Sequence, residues 1–320
     1  MKLDDVRKMA EMKLPLTAQG QKQARTFLLS IGLDPANLYQ ELEMSAHYVN
    51  THRDTSYSAT EVSLHSHSFG ELIYCRESDG VEYLVGADRY RLQRGDIVFV
   101  PPGISHCPLL PEQMSMPYIR DVIWLSADFL HMLWDYFQEL GAMEGYDLAP
   151  LRTAGTEWEF LGELFARGVR EEENRDHGWE AAVVGNTLMI VGYLQRLHSR
   201  RSRGIIRAEK PELLDRITAH IEQHYAEHLC AQDLAQKFYV SSSTVSHLFK
   251  QKLGVSFYRY VTQRRLIAAK IRIEQGMLLE DVAAESGFGD YSGFYRAFRQ
   301  EYGISPRKYR TLRENTGGKE

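Results

Sequence analysis

Between positions 61 and 125 the chain consists of short β-prone runs that are separated by Gly, Pro, Asp and Ser. Several short strands at this spacing are typical of a β-sandwich or a β-barrel. The sequence therefore predicts a β-rich domain over residues 61–125. The predicted strands are Glu71–Cys75, Val81–Val85, Arg89–Leu92, Asp96–Val100 and Tyr118–Leu125.

Helical spacing of the apolar positions predicts helices on both sides of this region. An early helix is predicted over residues 17–31, within an N-terminal segment 1–60 that is helical or extended. A helical region 126–200 follows the strands. Its predicted helices are Ser126–Leu140, Thr156–Glu173 and Trp179–Leu197.

The helix over residues 179–197 is apolar on most of its surface and must therefore be buried. It can form the core of its own domain, the seam of a homodimer, or both at once. The next segment, residues 201–210, is polar and basic and contains a glycine, so it is interpreted as an interdomain linker.

From residue 211 to residue 312 the pattern is helical, and one helix–turn–helix arrangement occurs twice. The first copy covers Ala231–Phe238 and Ser241–Gly254, and the second covers Leu279–Gly287 and Asp290–Gly303. Ser241 and Asp290 stand where helix N-caps are expected. A connecting helix over residues 257–275, about 28 Å long, can hold two recognition helices about 34 Å apart, which is one turn of B-DNA.

The second helix of each copy has one apolar face and one polar or basic face. Small polar and basic side chains on such a helix suit contacts with base edges and phosphates. Arg264, Arg265, Lys270 and Arg272 of the connecting helix are expected to divide between internal ion pairs and phosphates. The predicted DNA-binding residues are Ser242, Ser243, Ser246, His247, Lys250, Tyr291, Ser292, Tyr295, Arg296, Arg299 and Arg307, with Lys308 and Arg310 as further phosphate candidates.

Charge separates the two parts of the chain. The net charge is −5 overall, yet residues 200–320 carry 21 Lys and Arg against 14 Asp and Glu, so the rest of the chain is acidic. This asymmetry is consistent with a polyanion partner for the C-terminal part. No secretory signal and no membrane-spanning run is predicted, and the three cysteines form no metal or disulfide pattern, so a cytoplasmic protein is expected.

The last hundred residues resemble the AraC family of transcription regulators. The resemblance rests on both copies in order. In the first copy and the connecting helix the matching positions are Leu234, Ala235, Ser241, Leu248, Phe249, Lys250, Gly254, Arg265, Leu266 and Ala269. In the second they are Ala283, Gly287, Phe288, Asp290, Ser292, Phe294, Arg296, Phe298, Gly303, Ser305, Pro306, Tyr309 and Arg310.

The family implies a seven-helix DNA-binding domain, two adjacent major-groove contacts, and activation of transcription through RNA polymerase. Carried over by position, the base contacts fall on Ser243, Ser246, His247, Tyr291, Ser292 and Arg296.

The β-rich region resembles the cupins. His65, His67 and Glu71 match the spacing H-x-H-x3-E, and residues 95–106 match G-x5-P-x-G-x2-H. Ala59 and Ser78 stand where the cupin pattern has glycines. The resemblance implies a divalent transition metal at His65, His67, Glu71 and His106; a metal-free ligand pocket and purely structural histidines remain as alternatives. Strand alternation suggests an effector pocket at Tyr83, Phe99, His106 and Trp124.

The sequence thus predicts a multidomain α+β protein, with an N-terminal cupin-like barrel and flanking helices before an all-α domain of two helix-turn-helix units. The predicted function is a homodimeric, non-enzymatic transcription activator. It would bind promoter half-sites in double-stranded DNA, respond to a small effector such as a sugar, and need no cofactor. Two alternatives are a metal-dependent cupin enzyme with an appended DNA-binding domain and an architectural DNA-binding protein with an inactive sensor.

Overall fold

The computed structural model describes residues 48–57, 64–67, 69–110, 114–136, 149–199, 212–302 and 304–316. The predicted helix over residues 17–31 and the predicted linker 201–210 lie outside this part. The chain divides into two compact units, which are considered separately. None of the described helices is long and apolar enough to cross a membrane.

The first unit contains all the described strands, and every pairing between them is antiparallel. Five strands form one sheet in the order β1-β7-β2-β5-β8, and three form another in the order β4-β3-β6. The strands are β1 (Val49–Ser56), β2 (Gly70–Glu77), β3 (Glu82–Val85), β4 (Asp88–Arg91), β5 (Asp96–Val100), β6 (His106–Leu109), β7 (Tyr118–Leu125) and β8 (Leu151–Arg152).

The five predicted strands are confirmed as β2, β3, β4, β5 and β7, whereas β1, β6 and β8 were missed. Pairing within the described residues leaves the strands in two sheets rather than in one closed barrel. The predicted cupin-like barrel is therefore not closed within this part of the chain. The two sheets enclose one apolar cluster that includes Ile73, Tyr83, Val98 and Val100.

The opposite face of the five-stranded sheet packs against helices. We call the face that carries Ile73 and Val98 the inner face, and the face that carries Leu72 and Ile97 the outer face. The outer face packs with Phe129 of the first helix and with residues of the next two. These helices are α1 (Ala127–Tyr136), α2 (Leu161–Asn174) and α3 (Trp179–Ser199).

Helix α2 also covers an exposed sheet edge. The Glu172 carboxylate accepts hydrogen bonds from the Thr51 backbone N–H (3.1 Å) and the Asn50 side-chain amide (3.4 Å). Both donors lie on β1, the edge strand of the five-stranded sheet. Because an unpaired strand edge is prone to pair with another chain, this buried carboxylate closes one end of the sheet.

The second unit is helical throughout its described residues. Phe294, Phe298 and Tyr302 pack with Leu266 and Ala269 in one buried cluster. The connecting helix is α7, whose 18 residues span about 27 Å. The helices are α4 (Leu213–His224), α5 (Ala231–Phe238), α6 (Ser242–Leu253), α7 (Phe257–Glu274), α8 (Leu279–Glu285), α9 (Tyr291–Tyr302) and α10 (Pro306–Thr316).

Candidate functional sites

The first helix–turn–helix unit consists of α5 and α6, and its inner side is apolar. Leu234 and Ala235 of α5 are buried, as are Val245 and Phe249 of α6. The Ser241 hydroxyl accepts a hydrogen bond from the Thr244 backbone N–H at 3.0 Å and caps α6, as predicted. Capping and burial together fix which side of α6 faces outward.

The outward side of α6 carries the predicted contact residues. Ser242, Ser243, Ser246 and His247 are all exposed. Lys250 is exposed as well, and its ammonium donates to the Gly254 carbonyl at 3.1 Å, at the end of the same helix.

The second helix–turn–helix unit, which consists of α8 and α9, repeats this arrangement. The Asp290 carboxylate accepts from the Gly293 backbone N–H at 2.7 Å and caps α9, as predicted. Phe294 and Phe298 are fully buried on the inner side. The outward side carries the predicted residues: Ser292, Arg296 and Arg299 are exposed, Tyr291 and Tyr295 are partly buried, and Arg307 is exposed on α10.

The cations of α7 are engaged within the second unit. Arg264 pairs with the Glu222 carboxylate, and its guanidinium lies 4.4 Å from the Tyr225 ring centroid. Arg265 donates to the backbone carbonyls of Tyr225 and Glu227, both at 2.8 Å.

Three further basic candidates, Lys270 and Arg272 of α7 and Arg310 of α10, also have partners among these helices. Arg272 lies 3.4 Å from a Glu285 oxygen, and the Lys270 ammonium lies 5.1 Å from the Tyr302 ring centroid. Arg310 donates to the Met277 carbonyl. These five cations therefore have internal partners, whereas the exposed predicted residues lie on α6, α9 and α10.

In the first unit, a buried polar cluster surrounds the Glu71 carboxylate on the inner face. One Glu71 oxygen lies 3.0 Å from His106 Nε2 and 3.5 Å from His67 Nε2. The other accepts from the Trp124 indole N–H at 2.9 Å. The structure therefore brings together three residues of the predicted metal set, His67, Glu71 and His106.

Backbone carbonyls fix which nitrogen of two histidines carries hydrogen. His67 Nδ1 lies 2.7 Å from the Phe69 carbonyl oxygen, and His106 Nδ1 lies 2.9 Å from that of Ile104. Because a carbonyl oxygen only accepts, both Nδ1 atoms are the donors. Metal-ligating histidines are held in this way, with the second nitrogen bound to the ion. Imidazole and carboxylate ligands suit a divalent transition metal, so the donor set fits one.

The electrostatics of the cluster favour an ionised carboxylate. Burial alone would raise the pKa of Glu71, but hydrogen bonds from His106 and His67 and the charges of these rings outweigh it and hold the pKa well below its usual range. Burial lowers the pKa of His67, although its contacts with Glu71 oppose the shift. An ionised carboxylate is the form of this side chain that binds a metal ion.

Comparison with known proteins agrees with the paired helix–turn–helix units. The family described as "Helix-turn-helix domain" matches residues 234–312, which run from α5 into α10. The HTH-type transcriptional activator RhaS of Salmonella paratyphi A is 27% identical over 252 residues, which are 78% of this chain and 88% of that protein. The C-terminal part of the chain is therefore an AraC-type helix–turn–helix domain, and the protein is a DNA-binding transcription regulator.

Two solved structures are similar to parts of this chain. ToxT from Vibrio cholerae is 14% identical with a TM-score of 0.34, over 83% of this chain and 98% of that chain. The C-terminal domain of the response regulator yesN from Fusobacterium nucleatum is 29% identical with a TM-score of 0.30, over 30% of this chain and 96% of that chain.

The predicted effector pocket of the regulator is corrected at one position. Tyr83 and His106 are buried, with ring centroids 6.4 Å apart, and Trp124 contacts Glu71 on the same inner face. Phe99, by contrast, packs with the outer-face cluster against the helices. Alternation explains the error, because its neighbour Val98 is the β5 residue that faces inward.

Two polar residues of the inner face were missed by the sequence reasoning. Asp54 of β1 lies 3.0 Å from the Arg120 guanidinium of β7, which also donates to Ser56 at 3.0 Å. Burial raises the pKa of Asp54, but Arg120 and then His52 outweigh it and lower the pKa to about 2. No alternation in the sequence points to this pair, because residues 50–56 are all polar.

Proposed function

We propose that the regulator is a transcription activator that binds promoter half-sites and responds to a small molecule held in its first unit. The proposal rests on the observation that α6 and α9 both present polar and basic residues outward while their other sides are buried. Activation is supported by the relative that is named a transcriptional activator, and it implies a contact with RNA polymerase. A protein that acts on the bacterial chromosome acts in the cytoplasm.

Base reading is assigned to the outward faces of the two recognition helices. In α6 the base contacts are Ser243, Ser246 and His247, and in α9 they are Tyr291, Ser292 and Arg296. Ser242, Lys250, Tyr295, Arg299 and Arg307 flank them and face the phosphates. A connecting helix of about 27 Å suits two helices that enter major-groove segments one turn apart.

Selection of genomic fragments by the full-length protein tests this assignment. Bound fragments should share two short sequence elements centred about 10 base pairs apart, because one helical turn separates the two groove segments. A tenfold excess of random duplex at moderate salt serves as competitor. Failure to enrich any sequence over that competitor contradicts the proposal.

The effector site is assigned to the inner face, around Trp124, Tyr83, His106 and the Asp54–Arg120 pair. Aromatic rings beside carboxylate, imidazole and guanidinium groups suit a small molecule rich in hydroxyl groups, such as a sugar. The inner face supplies both the flat apolar surfaces and the fixed donors and acceptors that such a ligand needs.

Thermal unfolding in the presence of aldopentoses, aldohexoses and deoxyhexoses tests this site. One of these sugars should raise the melting temperature, because a ligand that binds only the folded state stabilises it. Trp124→Leu should abolish the shift, whereas the control Phe99→Leu, on the outer face, should keep it. A shift that survives Trp124→Leu places the ligand elsewhere.

Homodimerisation is assigned to the outward face of α3. Residues 181–194 carry no charged side chain, yet Gly185 and Met189 are exposed and Leu188 and Gly192 are partly exposed. A Cβ added at Gly185 or Gly192 would meet nothing within 4 Å, so this face is open. An uncharged face of this length fits a second copy of the chain.

Sedimentation of full-length variants tests the dimer. Gly185→Arg should produce monomers, because it places an unpaired charge in the apolar seam. The control Arg167→Glu changes an exposed position of α2 and should remain dimeric. A dimeric Gly185→Arg variant assigns the interface to another surface.

We also propose that His65, His67, Glu71 and His106 can hold a divalent transition metal, which would supply Lewis acidity and rigidity to the site. Elemental analysis of purified protein should find one such ion per chain, and His67→Ala should lose it. Absence of stoichiometric metal contradicts this assignment. The second candidate function, a metal-dependent cupin enzyme, requires in addition that the protein consume the sugar that shifts its melting temperature.

A further inference from the structure

The two helix–turn–helix units share one turn geometry but differ in the residue at its strained position. In the first helix–turn–helix unit the Val240 N–H donates to the Ala235 carbonyl at 2.9 Å, and in the second helix–turn–helix unit the Phe288 N–H donates to the Ala283 carbonyl at 3.0 Å. Both are bonds of the Schellman type, which needs a left-handed residue just before the donor. That residue is Gly287 in the second unit, with φ 83°, but Tyr239 in the first, with φ 58°.

A tyrosine in this conformation is unfavourable for the isolated chain. The left-handed region crowds Cβ against the backbone, which is why glycine is the usual residue there. Residues held in such conformations cluster at functional sites. The turn of the first helix–turn–helix unit therefore retains a strain that a glycine would remove.

The Tyr239 side chain makes no stabilising contact with the described part of the chain. It is 94% exposed, and no hydrogen bond or ring contact joins it to any described residue. The second turn is different, because a Cβ on Gly287 would lie 2.7 Å from the Ala226 Cα. The first turn is thus open to solvent where the second is packed, and the Tyr239 ring is accessible to a partner from outside the described residues.

The position of Tyr239 points to DNA as that outside partner. It lies two residues before Ser241, the N-cap of α6, and close in sequence to the exposed Lys237. When the recognition helix of such a unit enters the major groove, the first helix crosses the DNA backbone, and Tyr239 is the residue that ends this first helix, α5. Tyrosine hydroxyls are among the groups that bind phosphate oxygens in protein–DNA complexes.

We propose that Tyr239 donates its hydroxyl hydrogen to a backbone phosphate beside the first half-site and thereby positions α6. The proposal rests on the assignment of α6 as a base-reading helix. It adds a contact that carries no base information and no charge, so its loss should weaken binding to every duplex sequence alike.

Fluorescence anisotropy with full-length protein tests this contact, on the fragment that the wild type selects and on a random duplex. Tyr239→Phe and Tyr239→Gly should both lose affinity by about fivefold on both duplexes, the effect of one hydrogen bond. The dependence of log Kd on log salt should not change, because no charge is removed. Arg307→Ala is the comparator, since loss of a phosphate-binding cation should reduce that slope by about 1.

Thermal unfolding separates a lost contact from a damaged fold. Tyr239→Gly should melt no lower than the wild type, because glycine relieves the strain of the turn. Wild-type affinity in both variants overturns the proposal, as does a loss confined to Tyr239→Gly, which would assign the contact to the ring. Normal DNA affinity with reduced transcription by RNA polymerase also overturns it. If the wild type itself binds no duplex, the failure lies with the proposed function instead.

Discussion

Replacement of Arg296 by alanine provides the sharpest test of base reading. Arg296 is exposed on α9, and no ion pair or hydrogen bond joins its side chain to a described residue. Its removal should therefore leave the fold unchanged, and the whole effect should appear in DNA binding. A guanidinium that binds one guanine with two hydrogen bonds contributes about 1–3 kcal/mol of discrimination, or roughly 5- to 150-fold in Kd.

Arg307→Ala is the matched control, because Arg307 is also exposed but lies on α10, outside the recognition helix. Dissociation constants are measured for the selected site and for every single base-pair variant of it, at two salt concentrations. Arg296→Ala should relax the preference at one position, whereas Arg307→Ala should weaken all sequences alike. A uniform loss in both variants would show that Arg296 contacts only phosphate.

Three further changes test the packing and electrostatics of the two units. Asp54 has a lowered pKa of about 2 beside Arg120, so its ionised form stabilises the fold above its unfolded pKa near 4. This stabilisation is lost as the pH falls from about 4 to 2. In thermal melts over that range the wild type should therefore lose more stability than Asp54→Asn. Phe298→Ala should cost about 3–5 kcal/mol in urea unfolding, because the side chain is fully buried, and a loss below 1 kcal/mol would contradict that packing. Gly287→Ala should destabilise by at least about 1 kcal/mol, since its φ is 83° and the new Cβ would press on Ala226; a neutral result would show that the turn can move.

The sequence predicted the helical unit more completely than the β-rich unit for a physical reason. In α6 and α9 one side is apolar and the other polar, so burial could be assigned from spacing alone, and Val245 and Phe298 are buried as expected. Strand β1 has no such contrast. Its inward residues include His52 and Asp54, which pair across to Val122 and Arg120 of β7, so a buried strand has the composition of a loop.

Strand β5 shows the opposite difficulty, because both of its faces are buried. Val98 and Val100 face the second sheet, while Ile97 and Phe99 face the helices. Alternation fixes which residues share a face but cannot say which face encloses the site when both are apolar. The error at Phe99 follows from this. The sequence alone could not show whether the cations of α7 pair internally or with phosphates. Their internal partners, such as Glu222 and Glu285, come from other helices.

The two recognition helices differ in the reach and selectivity of their outward side chains. Ser243 and Ser246 of α6 have short hydroxyls that can donate to or accept from several bases, whereas Arg296 of α9 can match one guanine with two hydrogen bonds. Discrimination should therefore concentrate in the half-site of α9, and α6 should depend more on backbone contacts such as that of Tyr239. Base-pair substitutions in the α9 half-site should raise Kd by roughly tenfold or more at the best position, and those in the α6 half-site by less. Equal losses in the two half-sites would show that α6 reads bases through His247 as strongly as α9 reads them through Arg296.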